Sequence, residues 1–176
     1  MHEPAERMAR GDPGAFRAVY DALADRLHHY LMLRLGASAD ADDVLQETFV
    51  RLVRNRDGLR RVDDLAAFAF TIARNESNRW LDARRRRGEA IAAATSRGLF
   101  EEAESDGAEA REAADSVALA LASLDAEDRE IVELRVYAEL TFREIGEILG
   151  RPLGTVAARF HAALSRMQVH LAGERR

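Results

Sequence analysis

Four acidic residues, Asp40, Asp42, Asp43 and Glu47, crowd one short stretch of this 176-residue chain. Carboxylates at that density are the residue type that binds divalent cations or carries acid–base chemistry. Asp42, Asp43 and Glu47 could in principle serve a metal-dependent nuclease or phosphohydrolase, in which a cation activates water against a phosphodiester. The supporting ligands are missing. His28 and His29 are adjacent and so fall on different faces of a helix, while His2, His161 and His170 stand apart without a ligand-like spacing. No cysteine is present, which excludes disulfides, thiolate catalysis and cysteine-bound zinc, and permits a reducing compartment. The pattern assigns no metal site, no cofactor and no catalytic residue.

Arginine is the other chemically distinctive type. All 26 basic residues are Arg. The planar guanidinium fork matches phosphate oxygens and guanine edges, although a coding bias that also enriches Ala and Gly would give the same composition. A net charge of −5 speaks against nucleic acid until it is resolved along the chain. Residues 1–87 carry +2, residues 88–114 carry −5, residues 115–140 carry −5 and residues 141–176 carry +3. Acidity sits in the middle, and the two segments able to touch DNA are locally basic. Arg84, Arg85, Arg86 and Arg87 form a consecutive block at the end of a helical pattern. Four cations exceed what the negative end of a helix calls for, and phosphate contact with release of counterions is the sharper role.

The elements that position these groups are helices throughout. Ala15 to Leu35 has Phe16, Val19, Tyr20, Leu23, Leu27, Tyr30 and Leu31 on one stripe, with Asp12-Pro13-Gly14 before it and Gly36 after it. Asp40 to Arg54 turns Val44, Leu45, Phe49, Leu52 and Val53 inward and Asp43, Gln46, Glu47, Arg51 and Arg54 outward. After a polar break over 55–62, Asp64 to Arg87 buries Leu65, Phe68, Ala69, Ile72, Ala73 and Trp80 and offers Arg74, Asn75, Asn78 and Arg79 on its other side. Residues 88–114, rich in Ala and Glu, read as an acidic linker. A helix follows over 115–124, and Asp125 caps another with Ile131, Leu134, Tyr137 and Ala138 inward.

The segment from Thr141 to Met167 is helix, tight turn, helix. Phe142, Ile145, Ile148 and Leu149 recur at helical spacing, stop at Gly150, and resume after Pro152 as Val156, Phe160, Ala163, Leu164 and Met167. Thr141 and Glu144 have the form of a capping box, Gly150 suits a left-handed helix end, and Pro152 suits the first turn of the next helix. Such a pair is the signature of a DNA-binding helix-turn-helix, the plain alternative being an ordinary helical hairpin. No alternating strand pattern appears, so the fold class is all-α: two small helical domains, 1–87 and 115–176, joined by the acidic linker 88–114. No apolar run approaches a membrane span and the N-terminal MHEPAERMARGD has no apolar core, so a cytoplasmic protein without membrane insertion is expected.

Three blocks, in order, resemble the sigma-70-type RNA polymerase factors of the extracytoplasmic-function class. Asp42-Asp43-Val44-Leu45-Gln46-Glu47-Thr48-Phe49-Val50-Arg51-Leu52 is similar to that family's polymerase-binding helix. Phe68 to Arg87, containing Ile72-Ala73-Arg74-Asn75, is similar to the segment that melts and reads the minus-ten element. Leu124 to Leu171 is similar to the minus-thirty-five domain through Leu124-Asp125, Arg129-Glu130, Thr141, Glu144-Ile145, Leu149-Gly150, Pro152 and Gly154-Thr155-Val156. The resemblance implies a non-enzymatic factor whose partners are core RNA polymerase and promoter DNA, and it admits an anti-sigma factor. It places polymerase contact on Asp43, Gln46, Glu47 and Arg51. Minus-ten contact falls to Arg74, Asn75, Asn78, Arg79 and Arg84 to Arg87, with Trp80 as core rather than a stacking platform. Minus-thirty-five contact falls to Arg143, Thr155, Arg159, His161 and Arg166. Ala157, Ala158 and Ala162 stand where the family often has basic residues or serine, which predicts a weaker phosphate grip there. A helix-turn-helix regulator acting on duplex without polymerase explains 115–176 but leaves the Asp43 to Arg51 face unemployed.

Overall fold

A computed structural model of the chain describes residues 2–87 and 108–174. Its helices are α1 (His2–Ala9), α2 (Pro13–Leu35), α3 (Ser38–Arg54), a 3-10 turn (Arg56–Arg61), α4 (Leu65–Arg86), α5 (Ala108–Ala122), α6 (Ala126–Val136), α7 (Phe142–Leu149) and α8 (Leu153–Glu174). No strand occurs among the described residues.

Local chemistry sets most of the boundaries. Asp12 accepts from the Gly14 and Ala15 amides with Pro13 opening α2, and Gly36 closes it at φ 75°. Asp64 caps α4 through the Ala66 and Ala67 amides, and Asp125 caps α6 through Asp128 N. Thr141 and Glu144 form a reciprocal capping box on α7, which ends at Gly150 with φ 65°. Pro152 stands just ahead of α8, where its carbonyl accepts from Val156 N, rather than inside the first turn. Helix α3 begins at Ser38, two residues before the acidic periodicity starts. Helix α5 begins at Ala108, inside the stretch expected as linker; the expected linker residues 88–107 lie outside the described residues. Helix α1 was not legible in the sequence: its buried face is only Ala5, Met8 and Ala9, of which two are alanines that carry little hydrophobic signal, and it is held by packing against the 3-10 turn and α2.

Helices α2, α3 and α4 pack mutually, and α6, α7 and α8 do likewise, with α5 lying on α8. The main core crosses between these halves. Ile131, Leu134, Ala138, Leu140, Ile145 and Ile148 belong to the same buried cluster as Leu27, Tyr30 and Phe70. Helix α7 lies on α4, and α6 meets α2. Polar contacts seal the same interface: Arg26 Nε donates to the Ala138 carbonyl at 2.8 Å, and Arg143 approaches Asp64 at 3.9 Å. Tyr20 and Val53, both expected in the core, are instead 43% and 41% exposed.

Candidate functional site

Those two exposed side chains have a structural meaning. Tyr20 packs beside Phe49 with ring centroids 4.7 Å apart, and Phe16 meets Phe49 edge-on at 6.2 Å. With Leu45, Gln46, Val50 and Val53 they line an open groove of about 670 Å³ between α2 and α3. The groove is mostly apolar, with Asp42, Gln46 and Arg54 among its lining residues. Asp43 and Gln46 are exposed on the same helix. Among the described residues no three His, Asp or Glu side chains gather to hold a metal ion. Asp42 pairs with His28 Nε2 at 3.2 Å, and Glu47 takes Arg51 Nε at 2.7 Å.

Arg51 reaches further, to Glu76 on α4 at 3.1 Å, and Arg79 Nη1 donates to the same Glu76 oxygen at 2.5 Å. Glu76 is buried, so this carboxylate ties the outward face of α3 to the outward face of α4. Asn75 and Arg79 are exposed, as are Arg85, Arg86 and Arg87. Arg84 is not: its guanidinium lies 5.0 Å over the Trp80 ring and pairs with Asp40 at 3.6 Å. Trp80 is half-buried against the core.

Arg74 and Asn78 face the C-terminal half. Arg74 grips Glu130 of α6 in a two-pronged fork, Nε to Oε1 at 2.9 Å and Nη2 to Oε2 at 3.1 Å. Asn78 accepts from Arg34 Nη2 at 2.6 Å, and Arg34 Nη1 also donates to Glu130 Oε1 at 2.7 Å. The Tyr30 hydroxyl completes the cluster, donating to Glu130 at 3.3 Å. The Glu130 bond holds the Arg74 guanidinium charged, outweighing the cost of its burial. Burial works against the charge on Arg34, but Tyr30, Glu130 and Glu133 overcome it and raise its pKa. Burial also drives the Tyr30 phenol far above its ordinary range and pushes the Glu133 carboxyl up to about 7; Arg34 and Arg129 oppose the latter shift and Glu130 adds to it.

In the helix-turn-helix, Gly146 of α7 is required by close approach. A Cβ there would sit 2.7 Å from the Arg151 carbonyl in the turn. Helix α8 buries Val156, Ala163 and Met167 and exposes Leu153, Thr155, Ala158, His161 and Ala162. The His161 ring rests near Phe142 and Phe160. Arg159 is drawn back toward α6, bonding Asp128 at 2.6 Å, Asp125 at 3.3 Å and Glu127 at 3.4 Å. Arg166 contacts the same Asp128 and Asp125. Arg143 is 70% exposed in its side chain. The outward surface of α8 is therefore small-sided, and its two arginines are tied down by the acidic start of α6.

Arg34 and Glu76 escaped the sequence reading, and Glu130 entered it only as part of the Arg129-Glu130 resemblance, with no partner assigned. The signal for Arg34 was there, since a cation inside the run Leu31-Met32-Leu33-Arg34-Leu35 has to find an anion when that run is buried.

Residues 19–88 match the Sigma-70 region 2 family, and residues 120–168 match Sigma-70, region 4. The chain is 31% identical over 166 residues to the ECF RNA polymerase sigma factor SigL of Mycobacterium tuberculosis, covering 93% of this chain and 92% of SigL. It is 26% identical over 171 residues to the ECF RNA polymerase sigma factor SigW of Bacillus subtilis, covering 89% and 88%. Among solved structures, CnrH in complex with the cytosolic domain of CnrY aligns with a TM-score of 0.71 at 22% identity, over 97% of this chain and 96% of that one. RpoE in complex with the anti-sigma factor NepR from Bartonella quintana aligns at 0.64 and 20% identity, over 89% and 96%. These two likenesses concern the fold.

Proposed function

The chain belongs to the sigma-70 family, in its extracytoplasmic-function class, and on that premise we propose how its two halves divide the family's task. It binds core RNA polymerase and directs promoter recognition and transcription initiation. The observation that carries this is the pair of region 2 and region 4 matches in order along one chain, with relatives aligned over nearly its whole length. A duplex-only regulator would leave the region 2 match and the α2–α3 groove without a role.

In this reading, residues 1–87 bind polymerase and the minus-ten element, 88–114 link the halves, and 115–176 take the minus-thirty-five element. Asp43, Gln46, Glu47 and Arg51, beside the apolar groove, form the polymerase face, with Tyr20 and Val53 supplying apolar contact. Asn75, Arg79 and Arg85 to Arg87 are supported as strand contacts by their exposure, and Arg74 and Asn78 join them once α6 moves off α4. Arg84 acts through Trp80 and Asp40 rather than directly. On the upstream element, Arg143, Thr155 and His161 are presented to DNA, and Arg159 and Arg166 serve it after exchanging acidic partners for phosphates. The chain carries no catalysis of its own and works in the cytoplasm with polymerase. An anti-sigma factor is a fitting regulator, since two similar folds were solved with such partners or a cytosolic domain.

The test is co-elution with core polymerase at micromolar concentration, followed by transcription from a randomised promoter library. Asp43→Ala combined with Gln46→Ala is expected to weaken core binding on the order of tenfold or more, as loss of interface anchors does. Failure of the unaltered chain to co-elute or to initiate from any library member would sink the assignment.

A further inference from the structure

We propose that Arg34 and Arg74 form a binding site for a backbone phosphate of the promoter strand, and that the Glu130 carboxylate fills this site in the closed arrangement of the two halves. The site extends the sigma-factor role and presupposes it.

Both guanidinia converge on one anion. Glu130 Oε1 accepts from Arg34 Nη1 at 2.7 Å and Arg74 Nε at 2.9 Å, and Oε2 accepts from Arg74 Nη2 at 3.1 Å. A carboxylate and a phosphodiester make the same demand here: one negative charge spread over two oxygens that a planar fork can grip. Among the described residues, the carboxylate bonded to these two guanidinia, Glu130, comes from the other half of the chain. Within the N-terminal half Arg34 bonds the neutral Ser77 and Asn78 and lies over the Tyr30 ring.

The cradle is also built to persist without Glu130. Arg34 Nε donates to Ser77 Oγ at 3.1 Å, Nη2 donates to Asn78 Oδ1 at 2.6 Å, and the guanidinium lies 5.4 Å over the Tyr30 ring. Withdrawing α6 removes the carboxylate that neutralises Arg34, a state that another anion relieves. Asn75, Arg79 and Arg85, on α4 with Arg74, place that anion on the path of the minus-ten strand. A cleft of about 570 Å³ already opens there, lined by Arg34, Arg74, Asn78, Arg85 and Arg151 and by the acidic Asp82 of α4 and Glu127 and Glu130 of α6, of which the latter two leave with α6. Glu130 and the strand compete for one site, so DNA engagement and separation of the halves are linked.

The experiment uses the full chain and its holoenzyme. Free Glu130→Gln, with the charge removed and the shape kept, is expected to bind a short labelled oligothymidylate on the order of tenfold more tightly than the unaltered protein, and Arg34→Gln on that background to abolish the gain. In the holoenzyme, Arg34→Gln is expected to weaken promoter binding and to reduce the slope of log K against log salt by about 0.7, one single-strand phosphate contact. Arg34→Lys, retaining charge without the fork, should keep the slope and recover part of the affinity. Glu130→Gln that binds the strand no more tightly overturns the occupancy of the site by Glu130. An Arg34→Gln holoenzyme with unaltered affinity and slope overturns the phosphate site while leaving the sigma-factor role intact. An unaltered chain that forms no holoenzyme overturns that role and this site with it.

Discussion

Glu133 shows what a single buried carboxyl does to this molecule. In the unfolded chain it ionises near its ordinary 4.5, and in the folded protein burial raises that to about 7. Between the two values the native state holds one more proton than the unfolded state. Stability therefore falls as pH rises through that window, and this group changes it no further above. Glu133→Gln removes the ionisation. Its thermal midpoint should lie close to that of the unaltered protein at about pH 5 and above it at about pH 8, where the buried charge costs on the order of 3 kcal/mol. An equal difference at both pH values would refute the assignment. Individual residue types and faces were legible beforehand: Asp43 and Gln46 stand outward on α3 as helical periodicity requires, and Trp80 packs against the core. The partners of Arg74, Arg159 and Arg166 were not. A periodic pattern tells which side of a helix is polar, not what the polar side meets.

At the scale of elements, the helix-turn-helix was written almost completely in local chemistry. Thr141, Glu144 and Gly150 do what their types and spacing imply. Gly146 adds a constraint that no local rule announces, because the clash lies with the Arg151 carbonyl across the turn. Gly146→Ala is expected to lower thermal stability, since overpacking of about 1–3 kcal/mol outweighs the helix propensity gained. Gly154→Ala makes the control. A Cβ at Gly154 meets nothing within 4 Å, so the same exchange should stabilise by up to about 1 kcal/mol. Midpoints from far-ultraviolet circular dichroism decide between opposite signs; two shifts of the same sign would contradict the close approach at Gly146.

For the whole molecule, the shared core predicts that the halves unfold together. Leu140, fully buried in the C-terminal half, belongs to the cluster that also contains Tyr30 and Phe70. Leu140→Ala should cost about 2–5 kcal/mol. The only tryptophan, Trp80, reports on the other half. Its fluorescence midpoint should fall by the same amount as the circular dichroism midpoint; a Trp80 midpoint left in place would show that the halves are independent. The sequence by itself determined the helices after α1, most of their caps and the charge that each segment carries, because these depend on contacts within a few residues or on a pattern along one face. Only the tertiary structure decided that the halves close on one another, that Glu130 sits between Arg34 and Arg74, and that Asp128 restrains Arg159. Those pairings join residues 31 to 96 positions apart, and an apolar stripe reads the same whether it covers its own domain or the neighbouring one.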